Sequence, residues 1–330
     1  MNPFFQSLTP IWLNPKHVRI NEGALEAFAK NVSTNDFPTP SWREEVFPEG
    51  DDATFVQFIG IANAINFCFI DFSTGQKFDA EYPRGSGTMW RGSYAMAACL
   101  KRALDEGVPI LDPQFLACLE AKDAERIFES VTTPIPLLDR RLAHLQDVGE
   151  QLSHGRGDFL QFFNKSEFHL FYNGWGIAEY LHKNFKSYGD WHSWRGKQLI
   201  FAKRALLFPM MYHGRALASQ GKLPLIQDPE HFSPILDYVI PNALRIVGIL
   251  QYTPALQEKI LSGALIPHGS DEEVEIRAVA ARATALLLQE INYRRTPQNK
   301  IQMPALDSYL WRHGRQTVDS KHHKTLTTAY

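Results

Sequence analysis

The sequence predicts a single, mainly α domain with a small antiparallel β element in its N-terminal third. Apolar residues recur at helical spacing through most of the chain, one short hairpin pattern interrupts them, and no stretch of linker character divides the 330 residues. A chain of this length buries most of its unfolded surface without a disulfide or metal staple.

Residues 1–50, rich in Pro, Trp and Asn, read as an irregular arm packed on the body around one helix near Gly23–Asn31. In FVQFIGIANAINFCFI, residues Phe55, Phe58, Ile59, Ala62, Ile65 and Phe69 follow i, i+3, i+4, i+7 spacing, which predicts a mostly buried helix running to Phe69. The following DFSTGQKFDAEY reads as a hairpin around Ser-Thr-Gly. Ser93 opens a helix with Met96, Leu100 and Leu104 on one side, and Gly107 with Pro109 stops it. From Pro113 the pattern is helical almost to the end. Leu137–Leu152 alternates leucines with charges, and Lys197–Ala218 is another amphipathic or buried segment. The stretch 270–293 is the best marked, with Ser270 and Glu273 at capping-box spacing and acidic residues in its first turn.

Composition narrows the function. The 34 basic and 36 acidic side chains leave a net charge of −2, which argues against a dedicated duplex-binding protein but not against a small anionic substrate. Three cysteines (Cys68, Cys99 and Cys118) without a Cys-x-x-Cys pair fit a reducing compartment and no zinc site. The N-terminal residues lack a signal-peptide core, and no run of about 18 apolar residues could span a bilayer. A cytoplasmic protein without a membrane partner is expected. Walker, dinucleotide-fold, zinc-hydrolase and Gly-x-Ser-x-Gly motifs are all missing, so neither cofactor nor metal is expected. His322–His323 reads as part of a solvated basic terminus.

Three polar intrusions into apolar sequence remain. Asn63 and Asn66, three residues apart, share one helix face in this reading and either satisfy neighbouring backbone or meet a polar ligand. In QLIFAKRALLFP, Lys203 lies on the inward side, in a core ion pair or at a site, while Arg204 is placed to snorkel outward, where it counts as a ligand-binding candidate. Asp237 stands alone in FSPILDYVIP as either a helix cap or an ionised carboxylate held for use. Asp and Lys recurring inside apolar segments is the pattern of a charge-stabilising or acid–base pair.

At these residues the chain resembles the queuosine salvage proteins, queuosine 5′-phosphate N-glycosylase/hydrolases. The matching segments are NFCF at 66–69, RALDEGVPI at 102–110, IPLLDRRLAHLQDVGEQL at 135–152, GDFLQFF at 157–163, FAKRA at 201–205, DYVIPNALR at 237–245, GSDEEVEIRA at 269–278 and DSYLW at 307–311. The resemblance implies a helical fold similar to DNA glycosylases and hydrolysis of queuosine 5′-phosphate to queuine and ribose 5-phosphate, with the base passing to tRNA modification. It implies a catalytic carboxylate at Asp237, an active-site lysine at Lys203, and ligand contacts at Asn66–Phe67. Lys203 could pair with Asp237 to keep it ionised, bind phosphate, or act as a Schiff-base nucleophile, and pairing is the expectation, since an adjacent cation lowers a buried carboxylate's pKa. Two positions depart from the family pattern: Asn63, where relatives often carry Asp, and Ala202, where Tyr often precedes the lysine. A cationic ligand amine would suit an acidic wall such as Glu273, although helix-dipole pairing accounts for that residue equally. Phe67, Tyr238 and Trp311 either stack on the base or belong to the core. Arg245, or the tail near Lys324, is the candidate for phosphate. The competing expectation is a tRNA- or DNA-engaging glycosylase-like nucleic-acid-binding protein, and a catalytically silent scaffold is the third.

Overall fold

The computed structural model describes residues 2–49, 51–154, 157–316 and 321–330. Its longer helices, in chain order, are α1 (Glu22–Val32), α2 (Asp52–Ala64), α3 (Ser93–Asp105), α4 (Leu138–Ser153), α5 (Ile177–Asn184), α6 (Lys203–Leu217), α7 (Val239–Ile246), α8 (Pro254–Ser262), α9 (Asp271–Tyr293) and α10 (Met303–Gln316). The mainly α reading is borne out. Among the described residues no helix is long and apolar enough to cross a membrane.

Local chemistry sets the helix ends. Asp51 caps α2 by accepting from the Thr54 N–H at 3.0 Å, and Ser270 caps α9 by accepting from the Glu273 N–H at 3.3 Å. The first helix past the arm ends at Ala64, not at Phe69 as the spacing predicts. The Arg141 guanidinium donates to the main-chain oxygens of both Phe67 and Cys68, and Cys68 sits at φ +43°. These carbonyls therefore satisfy an arginine instead of a further helical turn. The Lys197–Ala218 segment likewise divides into a strand, Lys197–Ile200, and α6. Ala202 between them is left-handed (φ +49°). Asp190 holds the break, its main-chain oxygen accepting from the Phe201 and Ala202 N–H groups and its Oδ2 from the Lys203 N–H at 3.0 Å.

Among the described residues the strands form three two-stranded antiparallel pairs: β1 (Val18–Ile20) with β6 (Leu250–Tyr252), β2 (Asp79–Glu81) with β3 (Met89–Arg91), and β4 (Trp191–Trp194) with β5 (Lys197–Ile200). Of these pairs among the described residues, β2–β3 is the one that lies wholly in the N-terminal third. The predicted Ser-Thr-Gly turn exists, closed by Asp71 accepting from Ser73 and bridged at Ile70 and Lys77, but the paired strands lie downstream of it. The N-terminal arm is more regular than expected, with short helices at Pro3–Ser7 and Thr9–Trp12 and with β1 stitching it to β6.

Two apolar clusters fill the interior. One is built around α2 and α6, the other around α9. The tail is a second correction: His323 and Tyr330 are buried, and the Ile266 N–H donates to the Lys324 oxygen at 2.8 Å. His322 stacks on Tyr238 with ring centroids 4.2 Å apart, and burial pushes its pKa down to about 4. The His322–His323 pair is thus neutral packing, not a solvated basic end.

Candidate active site

A cavity of about 380 Å³ opens where the two clusters meet. Its walls come from residues 38–47 of the arm, the end of α2 with the following turn, the start of α3, α6, the lead-in to α7, and α10. Asn63, Asn66, Lys203, Asp237, Tyr238 and Trp311 all line it. Pairs distant in sequence are thereby brought together.

Lys203 opens α6 and is 3% exposed. Its Nζ donates to the Asn66 main-chain oxygen at 2.9 Å and to Asn66 Oδ1 at 3.2 Å. Asn66 Nδ2 in turn faces Asn63 Oδ1 at 3.4 Å, and Asn63 donates to the Ile59 oxygen at 2.8 Å. Burial lowers the Lys203 pKa to about 8, against the through-space pull of Asp237. The lysine spends its hydrogen bonds on Asn66, so the direct Lys203–Asp237 pair expected from sequence is replaced by a longer-range attraction.

Asp237 is half-buried, and its Oδ1 accepts from the Val239 N–H at 2.7 Å. It therefore helps start α7 and lines the cavity at once; the two readings of this residue are compatible. Burial raises its pKa above the ordinary carboxylate value, with Lys203 and the α7 amides opposing. A second carboxylate, Asp307 on α10, lines the same cavity and accepts from the Ile235 N–H at 2.7 Å. Burial raises its pKa to about 8, and Asp237 adds to the rise. Sequence reasoning passed over Asp307, although a lone Asp in ALDSYLW carries the same signal as Asp237.

A buried ion pair holds these elements in place. Arg277 Nη2 and Nη1 meet Asp190 Oδ2 and Oδ1 at 2.6 and 3.0 Å, both side chains being inaccessible. Arg277 Nε also donates to the Leu236 oxygen at 3.0 Å, next to Asp237, while Asp190 holds the Lys203 amide. One bidentate pair thus fixes the backbone at both Lys203 and Asp237. Burial is the largest influence on Asp190 and raises its pKa, but the Arg277 charge and hydrogen bonds, the Lys203 amide and the Arg204 charge together outweigh it, and the net shift is downward.

Four sequence candidates lie elsewhere. Phe67 is fully buried near the guanidinium groups of Arg141 (4.4 Å) and Arg204 (5.4 Å), and of the two phenylalanines in the NFCF segment it is Phe69 that lines the cavity. Arg204 points inward, donating to the Ala64 and Gly189 oxygens at 2.7 and 3.0 Å, because α6 turns both of its first cations into the protein. Arg245 donates to Asn242 Oδ1 and the Lys321 oxygen, both at 2.9 Å. Glu273 is buried beside Arg277 (3.5 Å) and accepts from the Gly269 N–H at 3.1 Å. It also approaches His192 and His268, a set whose donor atoms lie within 4.8 Å of one another. That set does not line the cavity, and its carboxylate already serves Arg277.

A family model described as queuosine salvage protein matches residues 46–330. The chain belongs to the queuosine salvage protein family. Among curated relatives, the queuosine 5′-phosphate N-glycosylase/hydrolase of Sphaerobacter thermophilus is 30% identical over 95% of this chain and 93% of its own length. The proteins of that name from Bos taurus and Schizosaccharomyces pombe are 27% and 26% identical, covering 92% and 94% of this chain and 90% and 91% of their own lengths. The family match begins at residue 46, yet Pro38, Pro40, Trp42 and Glu44 line the cavity. This wall is clamped from α6: Arg215 donates to the Ser41 oxygen at 3.1 Å and to the Trp42 oxygen, and a Cβ on Gly214 would collide with the Pro40 oxygen.

Proposed function

We propose that this queuosine salvage family protein hydrolyses the N-glycosidic bond of queuosine 5′-phosphate, with Asp237 facing the sugar carbon. The observation that carries the reading is a carboxylate that lines a largely apolar-walled cavity together with a cation fixed by Asn66. Breaking the bond builds positive charge at C1′ and negative charge on the departing base. An ionised carboxylate beneath C1′ stabilises the first charge and orients water. The water oxygen bonds to C1′, the C1′–N bond breaks, and one proton ends on the base. A preorganised charge of this kind contributes about 3–4 kcal/mol to the barrier reduction.

Queuine is a 7-deazaguanine, with carbon where guanine has N7, so protonating N7 is not an available route for the leaving group. Asp307 supplies an alternative. With its pKa raised to about 8, it holds its proton at neutral pH and can donate it to the base, the proton released by the attacking water restoring Asp307, while Asp237 acts as the anion. Burial raises both carboxyls, but Lys203 and the α7 amides oppose the rise at Asp237 while Asp237 itself adds to the rise at Asp307, and this asymmetry divides the acid and anion roles. The Lys203 charge keeps Asp237 from rising further and anchors Asn66 at the wall.

The test is incubation with queuosine 5′-phosphate and detection of free queuine by mass. Asp237→Asn is expected to lower turnover about 100- to 1,000-fold while ligand still binds. If the variant keeps most of its turnover, the role of Asp237 is wrong. Salt-sensitive tRNA binding without any mononucleotide turnover would instead favour the nucleic-acid-binding reading.

A further inference from the structure

We infer that Lys77, Arg91 and Arg315 form the subsite that receives the 5′-phosphate, at the mouth where the active-site cavity meets a second, basic one. The inference rests on the reaction proposed above and assigns the end of the ligand that the sequence left to Arg245 or the tail near Lys324. The second cavity, about 390 Å³, shares Lys77, Tyr238, Val239 and Arg315 with the first, and Lys321, His322 and Lys324 also line it. Lys77 and Arg315 thus sit where the two spaces meet, and Arg91 lines the first beside them, the three reached from separate parts of the chain: the turn after Ile70, α10 and β3.

Among the described residues none of the three is in an ion pair. Their charges act on one another instead: burial first, then Arg315 and Arg91, lower the Lys77 pKa. Like charges gathered without a counter-ion carry a repulsion that a dianion would relieve. Arg315 is oriented by ring faces, lying 4.4 Å from the Trp311 centroid and 6.0 Å from that of Tyr94. Glu44, the acidic residue of this wall, acts on the Tyr94 hydroxyl, helping to raise its pKa to about 12. The cavity is therefore polarised, with Asp237 and Asp307 among its lining residues and cations at the rim. Tyr238, adjacent to Asp237, lines both spaces. A ribose placed over Asp237 consequently has a path for its 5′ end toward Lys77 and Arg315.

The test uses the whole protein and titrates ribose 5-phosphate by calorimetry, beside kinetics with queuosine 5′-phosphate. Lys77→Met and Arg315→Gln are each expected to weaken ribose 5-phosphate about 10- to 100-fold, as for a lost hydrogen bond to a charged group. KM for the nucleotide should rise by a similar factor, whereas inhibition by free queuine, which has no phosphate, should keep its constant. Unchanged ribose 5-phosphate binding, or an equal loss for queuine, would overturn the subsite. Thermal midpoints near wild type would show that the fold is intact. If the unaltered protein releases no queuine, the reaction itself is refuted, and the calorimetry still decides whether these cations bind the sugar phosphate.

Discussion

Replacing Arg277 by Met tests whether one buried pair positions the site. The side chain is inaccessible, makes two bonds to Asp190 and one to the Leu236 oxygen, and leaves Asp190 charged and buried when removed. Breaking such a pair costs about 3–5 kcal/mol, a large share of a typical stability of about 5–15 kcal/mol. At about 2 °C per kcal/mol for a large domain, the melting midpoint should fall by roughly 6–10 °C, read by calorimetry. Adding Asp190→Asn should cost much less than its own single effect, because the orphaned charge is gone. Turnover should fall further than unfolding explains, since the backbone at both Lys203 and Asp237 is released. Arg277→Lys keeps the charge but not the fork, so it should regain stability without regaining full turnover. A midpoint loss under 2 °C, or additive losses in the double variant, would refute the positioning role.

Two further outcomes follow from the cavity walls. Gly214→Ala should force the Pro40 segment outward, cost about 1–3 kcal/mol as over-packing does, and raise KM more than it lowers kcat; a wild-type KM would show that the segment does not shape the ligand space. Asp307 has a folded pKa raised to about 8 from the ordinary 3.8, so its burial penalty grows as pH rises between those values. Asp307→Asn should therefore stabilise the fold more at pH 8 than at pH 5, while removing the basic limb that Asp307 contributes to the turnover profile; equal stabilisation at both values would contradict a buried, raised carboxyl.

What could be read in the sequence was whatever local chemistry decides. Ser270 with the acids behind it announced α9, and Asp237 announced itself as a charge without company. The failures share a cause, distant partners overriding local pattern. The Ile65–Phe69 spacing is helical, but Arg141, more than 70 positions away, claims its carbonyls. Lys203 and Arg204 are neighbours with the same sequence context, and only packing separates the residue at the cavity from the one that braces Ala64 and Gly189. Neither Gly nor Pro marks the break at Ala202, because Asp190 imposes it. The rim cations at 77, 91 and 315 form no motif in one dimension.

The cavity is assembled from the arm, the first third, the middle and the last helix, joined over separations of more than 200 positions. No fragment holding α6 and α7 alone would carry a complete wall, and a chain whose α10 or arm had come loose would lose a face of the chamber while keeping most of its helix content. Catalytic turnover in this protein should accordingly vanish before circular dichroism changes during gentle denaturation, making the reaction a sensitive gauge of global integrity.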